Sequence, residues 1–169
     1  MHYLNEDFWF PDVNKASPEG LLAIGGDLSI ERLLLAYKTG IFPWFDDNNP
    51  ILWWSPNPRF VLYPEKLKVS KSMKQVFRNK NYKVTVNKDF RAVINACALV
   101  KRSGQEGTWV TDTMIEAYVK LHELGYAKSI EVWNDDYLVG GLYGVDIGNG
   151  VFSGESMFTK ESNASKVGF

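Results

Sequence analysis

The residues best suited to chemistry lie between Gly40 and Arg59, where the chain reads GIFPWFDDNNPILWWSPNPR. Five large aromatics, Phe42, Trp44, Phe45, Trp53 and Trp54, are interleaved with four prolines, Pro43, Pro50, Pro56 and Pro58. Proline removes a backbone donor and fixes φ, so the stretch is predicted to be neither a long helix nor a central strand. Rings on such stiff, turn-rich backbone form either satellite core or a preformed stacking surface. A second feature bears on what would stack there. Residues 66–102 hold eleven Lys and Arg against one acid, Asp89, whereas the rest of the chain holds eight basic and nineteen acidic residues. The net charge of −1 hides that split. One basic segment on an acidic body is the footprint of a polyanion site, the plainer reading being a solvated helix face.

Other chemistries find little support. Cys97 is alone, in the apolar context AVINACALV, and is expected to be a small buried hydrophobe in a chain suited to the reducing cytoplasm. His2 and His122 are scattered and suggest no zinc ligand set. No run approaches 18 apolar residues, and the start, MHYLNEDFWFPD, lacks the basic and apolar regions of a secretory signal. At 169 residues, 45% apolar and 14% aromatic, the chain can fill a real core as one domain or two small ones.

The elements that must position these residues follow from local pattern. Residues 17–29, SPEGLLAIGGDLS, read as a turn-rich approach to a helix, with Gly25-Gly26 a turn rather than a dinucleotide loop. Ser29 is a suitable N-cap, IERLLLAYKT the helix with Leu33, Leu34, Ala36 and Tyr37 on its apolar face, and Gly40 its stop. FVLY (60–63) reads as a strand, and Pro64 as the start of a second domain, dividing the chain into 1–63 and 64–169. SKSMKQVFRN is a basic helix capped by Ser70, YKVTV a strand, and KDFRAVINACALVKR a helix with Phe90, Val93, Ile94 and Ala98 on one face. Asp112 is read as the cap of the helix TMIEAYVKLHELG, stopped by Gly125. Three strands follow, AKSIEVW, YLVGGLYGVDI and VFSGESMF, turning through Asn134-Asp135-Asp136 and Gly148-Asn149-Gly150. SNASKVGF opens like a helix capped by Ser162 or Asn163. Helices gathered ahead of an antiparallel meander argue an α+β fold, with helices packed on a mixed sheet.

At this point the residues resemble a known family. GLLAIGGDLS, GIFPWF, ILWWSPNPR, SKSMK, EGTWVTDTMIEAYVKLHELGYAKSIEVW, LVGGLYGV and GESMF…NASK, in order along essentially the whole chain, are similar to the leucyl/phenylalanyl-tRNA–protein transferases. The resemblance implies a small N-terminal domain followed by an acetyltransferase-like domain of the GNAT type. It implies transfer of Leu, Phe or Met from aminoacyl-tRNA to the N-terminal amine of proteins that begin with Lys or Arg, marking them for degradation by the N-end rule. The tRNA ester is already activated, so no cofactor or metal is implied.

The resemblance also implies site residues. Trp44 and Trp109 match positions that contact the terminal adenosine and the aminoacyl group, a use that suits stacking of single-stranded ends. Of Trp53 and Trp54, one is expected to pack in the domain junction and the other to line the cleft. Tyr118, Leu142, Phe152 and Met157 match positions lining the apolar side-chain pocket, the alternative being ordinary sheet core. Glu155, in Gly-Glu-Ser, is costly beside Phe152 and Met157 unless paired, and is expected to orient the substrate α-amino group and to handle a proton, or else to pair with a lysine. Lys71, Lys74, Arg78, Lys80 and Lys83 are expected to meet tRNA phosphates, contacts that position without reading sequence.

Family members continue past position 169 with a strand bearing an Asp-x-Gln motif, so the resemblance implies a C-terminally truncated member. Two rival readings share some features. A CoA-dependent GNAT N-acetyltransferase would need a Gly-rich pyrophosphate loop after the last meander strand, where this chain reads GESMFTKESNASK with Gly154 its only glycine. A non-catalytic RNA-binding module would use the same basic segment and tryptophans.

Overall fold

The structure is a computed structural model that describes residues 2–46, 48–100 and 110–169. Among them the chain is a mixture of helix and strand, with two four-stranded sheets and five α-helices.

The first sheet comprises β1 (His2–Leu4), β2 (Leu21–Gly25), β3 (Phe42–Pro43) and β4 (Leu52–Trp54), in the order β1-β2-β4-β3. β1 runs parallel to β2, and the other pairings are antiparallel. The turn-rich reading of residues 17–29 needs correction, because Leu21–Gly25 is a strand in the middle of this sheet. Its apolar run buries Leu22 and Ala23, and that burial outweighs the flanking glycines and prolines that suggested turns. The exclusion of a central strand from the aromatic–proline stretch is corrected too. β4 lies inside the sheet, and no proline falls within its three residues, while Pro43 sits on the edge strand β3. Between β2 and β3 runs α1 (Ile30–Lys38), with Ser29 at its N-cap position and Gly40 beyond its end at φ 79°.

The second sheet comprises β5 (Lys83–Val86), β6 (Ala127–Asn134), β7 (Tyr137–Asp146) and β8 (Phe152–Thr159), in sequence order. Every pairing in it is antiparallel, which corrects the expected mixed sheet. The reason is the pair of helices between β5 and β6. α3 (Phe90–Ala98) carries the chain back and α4 (Asp112–Glu123) returns it, so β6 starts where β5 ended and runs against it. α2 (Lys71–Asn79) precedes β5, and α5 (Ala164–Gly168) follows β8.

Caps explain the helix starts. Ser70 accepts a bond from Met73 N–H at 3.2 Å and Asp89 one from Ala92 N–H at 2.9 Å. α4 is capped by Thr111, not by Asp112: the Thr111 hydroxyl accepts from Met114 N–H at 3.3 Å, and Asp112 is the first helical residue. α3 ends at Ala98 rather than running to 102. FVLY (60–63) is not a strand among the described residues. It has no neighbouring strand to pair with, its side chains are exposed (Phe60 by 94%), and the chain passes into a short 3-10 turn at Pro64–Lys66.

One core serves both sheets. Leu33 and Ala36 of α1, with Trp53 of β4, are continuous with Val93 and Ile94 of α3, Met114 and Leu121 of α4, and Tyr143, Val145 and Phe158 of the second sheet. A fully buried carboxylate, Glu131, ties β5 and the start of α3 to β6. It accepts from the hydroxyls of Thr85 and Ser129 and from the N–H groups of Lys88 and Asp89 at 3.3 and 3.4 Å. Four donors are what allow a carboxylate to sit there.

Trp53 is 0% exposed, edge-on to Phe10 and bonded through Nε1–H to Gly25 O at 2.9 Å. Trp53→Ala is expected to lower unfolding free energy by about 3–5 kcal/mol. Val86→Ala, at an exposed position of β5, should change it by less than about 0.5 kcal/mol. Urea denaturation followed by circular dichroism checks both.

Candidate functional site

The two sides of the second sheet are told apart by its glycines. A side-chain carbon added at Gly140 would meet Ala164 of α5, and one added at Gly141 would come within 3.5 Å of Val93 of α3. Side chains alternate along a strand, so Tyr143 and Val145 face α3 and α4 with Gly141, while Leu142 and Gly144 face the other way with Gly140. Tyr143 accordingly packs edge-on to Phe90 and to Tyr118.

On β8 that alternation is broken at one place. Tyr143 pairs with Ser156 and Gly144 with Gly154, so Glu155 is the extra residue of a β-bulge. The Glu155 carboxyl lies on the α4 side of the sheet, the side of Ser153 two residues before it. Tyr118 Oη donates to Glu155 Oε2 at 3.4 Å and Ser153 Oγ to Oε1 at 3.3 Å. The hydroxyls of Tyr118 and Tyr37 bond to each other, and Tyr37 also reaches the carboxyl. α1, α4 and β8 thus each contribute one member to a hydrogen-bonded group at the meeting of the two sheets.

The electrostatics of the group follow from competition. Burial penalises the charged carboxylate and pushes Glu155 up to about 7, against the lowering effects of the Tyr37 and Ser153 hydrogen bonds, the Arg59 charge and the Tyr118 hydroxyl. Burial, then the nearby Glu155 charge, raises both tyrosines well above the ordinary phenol range. The result is a carboxyl that holds or releases a proton near neutral pH beside two hydroxyls that stay protonated.

β3 and β4 carry an aromatic wall. Phe42 of β3 lies opposite Trp54 of β4, and the pairing continues as Trp44 N–H donates to Leu52 O at 2.9 Å. The Trp44 and Trp54 rings meet edge to face at 5.5 Å, and Trp54 Nε1–H donates to Trp44 O at 2.7 Å. Of the two adjacent tryptophans, Trp53 is the one in the core and Trp54 the one on the wall. Trp44 is 41% exposed.

The expected site residues therefore fall in several places. Tyr118 and Glu155 are in hydrogen-bond contact. Leu142, Phe152 and Met157 lie together on the opposite side of the sheet: Leu142 pairs with Met157, and Phe152 covers the bare backbone of Gly144. Leu142 is buried, whereas Phe152 and Met157 are 44% and 43% exposed. β8 is the last strand of this sheet among the described residues. Lys71, Lys74, Arg78, Lys80 and Lys83 are all exposed, and α2 buries none of its side chains. Lys80 also lies 3.6 Å from Glu161. Trp109 lies outside the described residues. Tyr37, Ser153 and Arg59 were not anticipated as site residues. Tyr37 read as one more apolar position on a helix face, and the only signal for Arg59 was its place at the end of the aromatic–proline stretch. Among the described residues no cluster of three or more His, Cys, Asp or Glu could hold a metal, and no helix is long and apolar enough to cross a membrane.

The raised Glu155 value has a stability consequence whose sign is determined. The folded state holds the proton more tightly than the unfolded chain, so no penalty exists below the unfolded value of about 4.5. Stability is lost as pH rises from there through about 7, and the loss is constant above that. Glu155→Gln should abolish this pH-dependent difference, which denaturation midpoints of both proteins between pH 4 and 8 would reveal.

Comparison with known proteins places the chain. The family sequence model "Leucyl/phenylalanyl-tRNA protein transferase" matches residues 61–169, and its N-terminal domain counterpart matches residues 26–57. A leucyl/phenylalanyl-tRNA–protein transferase of Flavobacterium johnsoniae is 59% identical over 169 residues, covering all of this chain and 79% of the relative. One from Flavobacterium psychrophilum is also 59% identical over 169 residues, covering all of the chain and 80% of the relative. One from Syntrophus aciditrophicus is 60% identical over 158 residues, 94% of this chain and 66% of the relative. With identity at this level over its whole length, the chain belongs to the leucyl/phenylalanyl-tRNA–protein transferase family of aminoacyltransferase enzymes.

Proposed function

We propose that the protein transfers Leu, Phe or Met from aminoacyl-tRNA to the N-terminal amine of proteins that begin with Lys or Arg, which marks them for degradation in the cytoplasm. The observation that carries this reading is the hydrogen-bonded Tyr37–Tyr118–Glu155 group, whose carboxyl titrates near neutrality. The division proposed is 1–63 as an N-terminal α+β domain and 64–169 as a GNAT-like transferase domain. Two separate sheets, and separate family matches to residues 26–57 and 61–169, support it.

The reaction is aminolysis of an ester. The acceptor amine attacks the carbonyl carbon, the C–N bond forms, the C–O bond to the tRNA ribose breaks, and the proton lost by nitrogen ends on the departing ribose oxygen. Trp44, with Trp109, stacks the terminal adenosine. Leu142, Phe152 and Met157 receive the apolar side chain. Glu155 orients the α-amino group of the aminoacyl moiety and, titrating near neutrality, handles a proton. A pocket of this kind separates side chains that differ by a methylene by only about 1–3 kcal/mol, which suits a donor set of Leu, Phe and Met. Lys71, Lys74, Arg78, Lys80 and Lys83 hold the phosphates without reading bases.

Transfer of labelled Phe from Phe-tRNA to a peptide starting with Arg tests the reading, and its absence would refute it for this chain. Trp44→Ala should weaken donor binding by about 1–3 kcal/mol. Changing Lys71, Lys74 and Arg78 together to Ala should weaken tRNA binding and flatten its dependence on log salt by about one unit per charge lost. An unchanged salt slope in a binding titration contradicts that assignment.

A further inference from the structure

Arg59 has entered so far only as a charge that lowers the Glu155 carboxyl. It ends the aromatic–proline stretch, and its guanidinium lies 4.5 Å from the centre of the Phe42 ring. The residue is exposed. Among the described residues it forms no ion pair and donates no hydrogen bond. A guanidinium held over an aromatic face keeps its N–H fork free at the edges, the geometry suited to two oxygens of a phosphate. Its charge is near enough to lower the Glu155 carboxyl.

The wall beneath it sets a spacing. Phe42 and Trp44 are two residues apart on extended backbone, so their side chains share a face about 6–7 Å apart. That is the scale of one nucleotide, from its base to its phosphate. We infer that Arg59, braced on Phe42, binds the phosphate of the terminal nucleotide whose base stacks on Trp44. The inference rests on the donor reading above and adds a phosphate subsite to it, separate from the basic segment around α2. A lysine would keep the charge and lose the paired donors.

Two ligands that differ only in that group test it: adenosine carrying a 3′-amide-linked phenylalanine, and its 5′-monophosphate. Binding is measured by tryptophan fluorescence at low salt, where neither peptide acceptor nor turnover is needed. The wild-type protein is expected to bind the phosphorylated ligand about tenfold more tightly. Arg59→Gln should bind both ligands equally, at the affinity of the unphosphorylated one, and Arg59→Lys should fall between. Equal binding of the two ligands by the wild-type protein overturns the inference while leaving the donor site intact. So does a phosphate preference that survives in R59Q. Equal weakening of both ligands in R59Q would mean that Arg59 acts only through the charge on Glu155, and overturns it as well. If neither ligand binds the wild-type protein, the donor reading falls and this subsite with it.

Discussion

A carboxyl group withdrawn from water must either find donors or keep its proton, and Glu155 is balanced between the two. Burial alone would keep it neutral; the tyrosine and serine hydroxyls and the Arg59 charge pull the other way and leave it titrating near 7. The balance depends on α1 lying against α4, because Tyr37 and Tyr118 come from those helices and the carboxyl from β8. The shared core of Leu33, Ala36, Met114 and Leu121 holds that arrangement, so packing far from the surface determines the proton affinity of a group at the site. The bulge on β8 puts two consecutive residues, Glu155 and Ser156, on the same side of the sheet.

β8 separates two kinds of environment. On one side are the carboxyl and three hydroxyls; on the other, the apolar group of Leu142, Phe152 and Met157.

Electrostatic attraction is organised on two length scales. The lysines and arginine of α2 and its neighbours are exposed and bury nothing, so they contribute a broad positive field that added salt weakens. Arg59 is a single cation fixed on a ring beside the carboxyl, and its effect is short in range and directional. The broad field and the single fixed cation are therefore supplied by different residues.

Much of the secondary structure was legible in the sequence, because it rests on contacts between near neighbours. Ser70 announced α2, the period of Phe90, Val93 and Ile94 announced α3, and turns at 134–136 and 148–150 announced the β6–β8 meander. The errors fall where partners are distant. β2 was hidden by its glycines, and FVLY reads as a strand but has none beside it. The site was legible only as a set of residue types. That Tyr37 meets Tyr118 across 81 positions, that Tyr118 meets Glu155 across 37, and that Leu142 turns its back on both, was decided by tertiary packing. A helix face records which residues are apolar, but not which hydroxyl on it will find a carboxylate, since that depends on the relative placement of two sheets.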